Sequence, residues 1–297
     1  MRHSRFLMLA LVGLLALAAG LPAHAQSSPR AKAALNEIQQ TFGMVPTMFR
    51  MFPEEGVADA WDTMKYLQLS PATAIPPKYK ELIGLGVAAQ IPCEYCVYFH
   101  TEAARLNGAT DREIREALAE ASLERFWSTV LNGTAQEMTA FRTEVQRMAD
   151  SMREGGDSPP SLTPVTDAAS AYQDMEATFG FVPTFLKTMP SASIAAAWNE
   201  WKSIDMNPNT ALPARYKTLI SLAISSQVPC AYCVYADKQF ARAQGVTEQE
   251  MDEAIGLAAE TRHWSTFLNG SGLDKEAFRQ EADAMFRHVR SSMTAAK

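Results

Sequence analysis

Shifting the chain by 137 residues lays it onto itself. Thr41-Phe42-Gly43 falls on Thr178-Phe179-Gly180, Val45-Pro46-Thr47 on Val182-Pro183-Thr184, Trp61 on Trp198, Tyr79-Lys80 on Tyr216-Lys217, Cys93 on Cys230, and Trp127-Ser128-Thr129 on Trp264-Ser265-Thr266. The register holds without a gap over more than a hundred residues, with roughly four positions in ten identical. Whatever one copy folds into, the other must fold into as well. A period this long also excludes solenoid repeats, whose units run to about 20–50 residues. Between the copies, residues 154–164 are rich in Gly, Pro and Ser and read as an exposed linker. The expected division is therefore a first domain at 26–153, a linker at 154–164 and a second domain at 165–297.

Residues 1–25 stand outside the repeat. Arg2 and Arg5 precede a nearly unbroken apolar run from Phe6 to Leu21, and Ala23-His24-Ala25 supplies the small residues a signal peptidase reads. The run is short for a hydrocarbon core of about 30 Å. A signal peptide cleaved after Ala25 is expected, with the mature chain exported to the periplasm or the medium and free of the membrane. Cleavage removes two of the 27 basic residues and none of the 33 acidic ones, leaving a formal charge of −8. An acidic chain without a basic cluster is a poor partner for nucleic acid.

Each copy carries helical signals throughout, and no stretch alternates with a period of two, so an all-α fold is predicted. Lys78–Ala89 has apolar residues at helical spacing. Ile91-Pro92 interrupts it, because proline disfavours helical geometry in the residue before it. A new helix is predicted from about Cys93 to Leu106, closed by a left-handed cap at Asn107-Gly108. Thr110-x-x-Glu113 and Thr247-x-x-Glu250 read as capping boxes for the next helix of each copy. In copy one that helix is expected to end near Leu131, at Asn132-Gly133.

The four cysteines, Cys93, Cys96, Cys230 and Cys233, form two C-x-x-C pairs. In an oxidising compartment each can persist as a disulfide. A bridge across so short a loop restricts the unfolded chain little, which favours chemistry over stapling. Cys93, Cys96 and His100 share one helix face. Cys93 lies at the helix start, where unpaired N–H groups and the dipole favour a thiolate. His100 can serve as base or counter-ion, and Glu81, on the preceding helix, can orient the imidazole if the two helices pack antiparallel. A structural disulfide, or zinc held by Cys93, Cys96 and His100, are the competing readings; a structural zinc wants four ligands, and no local fourth is present.

Glu81, eleven residues, Cys93-x-x-Cys96, three residues and His100 together resemble the signature of the alkylhydroperoxidase D family, within the carboxymuconolactone decarboxylase superfamily. Lys78-Tyr-Lys-Glu-Leu-Ile and Gly43-x-Val-Pro are similar to its peroxidase-related branch. The resemblance covers each copy almost end to end. It implies two tandem all-helical domains, peroxide reduction through the cysteine pair, a relay on Glu81, Cys93, Cys96 and His100, and trimer-based homo-oligomers. Tyr95 stands where some members carry a histidine inside the C-x-x-C. The implied partners are a peroxide or disulfide substrate and a thiol reductant, with no cofactor and no metal.

Copy two keeps Cys230 and Cys233 but replaces Glu81 by Thr218 and His100 by Asp237. The base is lost, and a carboxylate beside Cys233 would hold its thiol protonated. His263, aligned with Phe126, is the candidate for a substitute base. Met64, Trp61 and Trp198 fall on apolar faces and read as core. The leading expectation is an exported thiol peroxidase or disulfide oxidoreductase in which Cys96 attacks and Cys93 resolves. The alternatives are a carbon-acid enzyme of the decarboxylase type and a non-catalytic assembly module with locked disulfides.

Overall fold

The computed structural model describes residues 28–154 and 161–295. The signal sequence with its cut after Ala25, and residues 155–160 of the linker, lie outside the described residues. The fold is all-α, as the spacing predicts: thirteen α-helices and no strand among the described residues. Repeat one supplies α1 (Pro29–Phe42), α2 (Thr47–Met51), α3 (Glu54–Thr63), α4 (Pro77–Gln90), α5 (Glu94–Leu106), α6 (Asp111–Thr134) and α7 (Met138–Glu154). Repeat two supplies α8 (Ala168–Phe179), α9 (Ile194–Ile204), α10 (Ala214–Gln227), α11 (Ala231–Ala243), α12 (Glu248–Ser271) and α13 (Lys275–Ala295). None of these helices is long and apolar enough to cross a membrane.

The centre is set by α4 and α10. Leu82, Ile83, Leu85, Val87 and Ala88 spread apolar side chains around α4, and Leu219, Ile220, Leu222, Ala223 and Ile224 do the same on α10. A helix apolar all round must be enclosed. The two lie against each other, wrapped by α6 and α12, so both repeats share one core. Tyr79 and Tyr216, equivalent under the repeat, stack face to face with ring centroids 3.4 Å apart. That stack marks the pseudo-twofold axis.

The last helix of each repeat crosses this axis. α7 presents Phe141, Val145 and Met148 on one stripe and packs on α11 of repeat two. α13 presents Phe278, Ala282 and Met285 and packs on α5 of repeat one. The crossing is pinned from inside each C-x-x-C. The Tyr95 hydroxyl donates to the Leu273 carbonyl at 2.5 Å, and Tyr232, its equivalent, donates to Gln136 at 2.8 Å. The tyrosine in place of the family histidine is thus a clasp between repeats.

Helix ends follow the sequence signals with one exception. Both capping boxes form, and Gly108 closes α5 at φ +83°. Asn132-Gly133, however, does not end α6. The helix runs to Thr134, and the left-handed residue is Ala135 at φ 47°. Leu131, buried beside Trp127, keeps the last turn packed, and the chain then needs only three residues to enter α7. In repeat two the same place is Gly272, at φ +69°. A Cβ in the left-handed region costs about 1–2 kcal/mol, partly offset by the extra freedom glycine has when unfolded. Ala135→Gly is therefore expected to stabilise the fold by about 0.5–1 kcal/mol, and Gly272→Ala to destabilise it similarly. Urea unfolding of the two variants checks this; an effect of the same sign in both would contradict it.

Candidate functional site

Cys93 caps α5 with extended backbone, one residue before the helix begins, so Pro92 stands just outside the first turn. The Cys96 N–H donates to Cys93 Sγ at 3.3 Å. The pair is disulfide-bonded with Cα atoms 5.3 Å apart, and Cys230–Cys233 has the same separation. Four residues beyond Cys96, His100 is buried between α5 and α4.

The predicted partner is in place: Glu81 Oε2 lies 2.8 Å from His100 Nδ1. Donating from Nδ1–H to this carboxylate fixes the tautomer and leaves Nε2 as the basic nitrogen. Thr261 Oγ1, on α12, lies 3.5 Å from Nε2. The other Glu81 oxygen accepts from Gln68 Nε2 at 2.8 Å. Gln68 reaches it because α3 continues as a π-helical turn, Met64–Leu69, a wider coil of the kind found at functional sites. Lys80, fully buried, holds that turn through the carbonyls of Leu67 (2.6 Å) and Ser70 (2.8 Å). Gly84 leaves room for the imidazole: a Cβ there would meet His100 Nδ1 at 2.6 Å.

Cys96 and His100 open into a cavity of about 40 Å3, walled by Phe49, Met64, Phe99 and Trp264. Cys93 is fully buried and does not line it. Met64 is therefore a wall of the site as well as core. Glu260, from α12 of repeat two, also lines the cavity, with neither carboxyl oxygen hydrogen-bonded. Burial, helped by the nearby charge of Glu81, pushes Glu260 up to about 8. It is a neutral carboxylic acid at pH 7.

Sequence reasoning missed Gln68, Gly84, Thr261 and Glu260. A signal for Glu260 exists in the repeat itself, since its counterpart is the buried Leu123. An acid replacing a core leucine in one copy marks a position with a task. What hid it was the helix exchange, which brings α12 to the first repeat's cysteines.

In repeat two, Asp237 takes the place of His100 and is buried. Burial pushes it up to about 8, so at neutral pH it is an uncharged acid and exerts no charge on Cys233. His263 does not replace the base. It lies exposed on α12, 5.6 Å between ring centroids from Phe52, on the side of the first site, because α12 belongs spatially to repeat one's cysteines.

The profile of the carboxymuconolactone decarboxylase family matches residues 55–142 and 192–276, together more than half of the chain. The chain belongs to this family. The two matches start one repeat period apart, so both copies are family units. A Paracoccus denitrificans protein described as uncharacterized protein 4 in cox locus is 29% identical over 92 residues, covering 31% of this chain and 71% of that protein. No solved structure matches the chain. The family includes decarboxylases and alkylhydroperoxidases, and the two cysteine pairs and the His100–Glu81 contact are the features of this member that a thiol reaction would use.

Glu260 sets a pH dependence. Its value in the folded chain lies above the ordinary 4.5, so the folded state holds a proton that the unfolded state releases. The resulting stability is full below 4.5 and is lost as pH rises through about 8. Glu260→Gln removes that loss. Its melting temperature is expected to gain on the natural chain steadily from mildly acidic to mildly alkaline pH. Parallel curves would show that the carboxyl ionises as freely as in water.

Proposed function

We propose that this chain is a thiol peroxidase, or a disulfide oxidoreductase of the same chemistry, working at Cys96. In the reduced enzyme, His100 Nε2 takes the Cys96 proton and holds the thiolate beside it. Glu81 fixes the imidazole and stabilises its positive charge. The thiolate sulfur attacks one peroxide oxygen: an S–O bond forms, the O–O bond breaks, and the leaving alkoxide takes a proton. Glu260, neutral and facing the same cavity, is the acid placed to give it. The Cys96 sulfenic acid then condenses with the Cys93 thiol, forming the S–S bond and releasing water. An external dithiol reduces the disulfide and restores both thiols.

One observation carries this reading. Cys96 opens into a largely apolar cavity beside a His–Glu pair, and repeat two, which keeps the cysteines, lacks the pair. The cavity lining, which includes Cys96 and not Cys93, supports Cys96 as the attacking sulfur. An exported location, expected from residues 1–25, would suit a disulfide-forming cycle, and a trimer-based assembly is part of the same proposal. The family's decarboxylase members support a second reading, in which His100 and Glu81 move a proton at carbon and the cysteines only brace the helix.

Peroxide consumption with a dithiol reductant separates the readings. Cys96→Ser is expected to abolish turnover and Cys233→Ser to leave most of it. Glu260→Gln is expected to lower turnover by about 10²-fold, as for loss of a general acid. Equal loss from the two cysteine variants would show two pairs in series, and no effect of Cys96→Ser would remove the peroxidase reading.

A further inference from the structure

Repeat two holds a larger cavity, of about 80 Å3, with Cys233 on its wall. Glu120 and Glu124 enter it from α6, and Asp237 from α11. All three are more than nine-tenths buried. One Glu120 oxygen accepts from Ser221 Oγ at 2.8 Å. Its other oxygen, Oε2, together with Glu124 Oε1 and Asp237 Oδ2, has no hydrogen-bond partner. A fourth carboxyl, Asp205, accepts from Trp201 Nε1 at 3.0 Å.

These acids are not inherited from the shared scaffold. Their counterparts across the pseudo-twofold are Leu257 for Glu120, Thr261 for Glu124, His100 for Asp237 and Gln68 for Asp205. Three of these, Gln68, His100 and Thr261, line the first cavity, where the second has acids. Because α6 crosses to repeat two's cysteines, the two glutamates and the two aspartates converge only in the folded chain.

The charged groups around the cavity are few. From α6 come Glu116, Glu120 and Glu124, from the end of α9 Asp205, from α10 Lys217, and from α11 Asp237; the α7 face supplies Phe141, Val145 and Met148. Glu116 is engaged by the Leu212 N–H at 2.8 Å and by Arg112 at 2.9 Å. Lys217 is spent on the carbonyls of Ile204, Asp205 and Asn207. Its charge still draws Glu120 and Asp205 downward, against the larger effect of their burial. Burial pushes Glu120 and Asp237 up to about 8, and Glu124 and Asp205 upward as well. The cavity is thus lined by acids that burial holds towards their neutral form and that a cation would draw into ionising.

We propose that this cavity binds a small organic cation, a protonated primary alkylamine of a few carbons. An ammonium group offers N–H donors to the unpartnered oxygens of Glu120, Glu124, Asp237 and Gln244, all of which line the cavity. The alkyl part meets the rings of Trp127, Trp201, Phe179 and Phe240, whose faces also attract positive charge. No group of three or more His, Cys, Asp or Glu among the described residues is arranged to hold a metal ion, which favours an organic cation over a divalent one. The cavity, about 80 Å3, is small, so the ligand is short.

Calorimetric titration of the whole chain with butylammonium, 1-butanol and butyrate tests this. Butylammonium is expected to bind, and 1-butanol and butyrate at least about tenfold more weakly, a difference of ~1.4 kcal/mol. Affinity should rise between about pH 6 and 9, with proton release read from buffers of different ionisation heat. Glu124→Gln and Asp237→Asn, each isosteric with the neutral acid, should each weaken binding about tenfold or more and leave peroxide turnover at Cys96 unchanged. Equal binding of 1-butanol would show an apolar cavity only, and equal binding of butyrate would show acids acting as donors. No binding of butylammonium, or full binding by both variants, overturns the proposal as well.

Discussion

Everything about this molecule depends on the crossing of α7 and α13 over the pseudo-twofold axis. Each cysteine helix has one face against its own repeat's central helix and another that only the partner repeat can cover. The Phe141–Val145–Met148 and Phe278–Ala282–Met285 stripes bury that second face. The Tyr95 and Tyr232 hydroxyls lock it by reaching the chain just before each crossing helix. A hydroxyl satisfied in this way contributes about 1 kcal/mol. Two sequence repeats therefore yield one hydrophobic unit with two sites, each built from both halves.

Duplication within one chain lets the two sites diverge on a common frame. A homodimer of a single unit would place the same residues in both. Here the first cavity has Gln68, Glu81, His100 and Thr261 where the second has Asp205, Thr218, Asp237 and Glu124. The exchange adds a second level of divergence, because a change on α12 alters the first site and a change on α6 alters the second. Glu260 facing Cys96 and Glu124 facing Cys233 are both of this kind.

Local chemistry was legible in the sequence wherever it depends on residues close along the chain. The capping boxes, the Gly108 cap, the break at Ile91-Pro92 and the shared face of Cys93, Cys96 and His100 all follow from short-range geometry. The Glu81–His100 pair needed one further step, antiparallel packing of α4 on α5, which the short Ile91–Cys93 connection enforces. The crossing was not legible. A stripe such as Phe141, Val145 and Met148 fits a groove in its own repeat as well as one in the other, and periodicity does not tell them apart. The misplaced helix end at Asn132-Gly133 and the misplaced His263 have related causes: tertiary packing overrode a turn signal in the first, and the crossing moved a helix to the opposite site in the second.

The central claim is that peroxide chemistry resides at Cys96, in the cavity made by both repeats. Its most direct measurement is to trap the sulfenic acid. The reduced Cys93→Ser/Cys230→Ser chain, which cannot resolve that intermediate at Cys96 or at Cys233, is given peroxide together with a sulfenic-acid-specific nucleophile, and the adduct is located by peptide mass spectrometry. The account predicts the label on Cys96 and none on Cys233, with the Cys96 label suppressed when His100→Ala is added. Label on Cys233 at an equal rate, or peroxide consumed with Cys96 unlabelled, would contradict it.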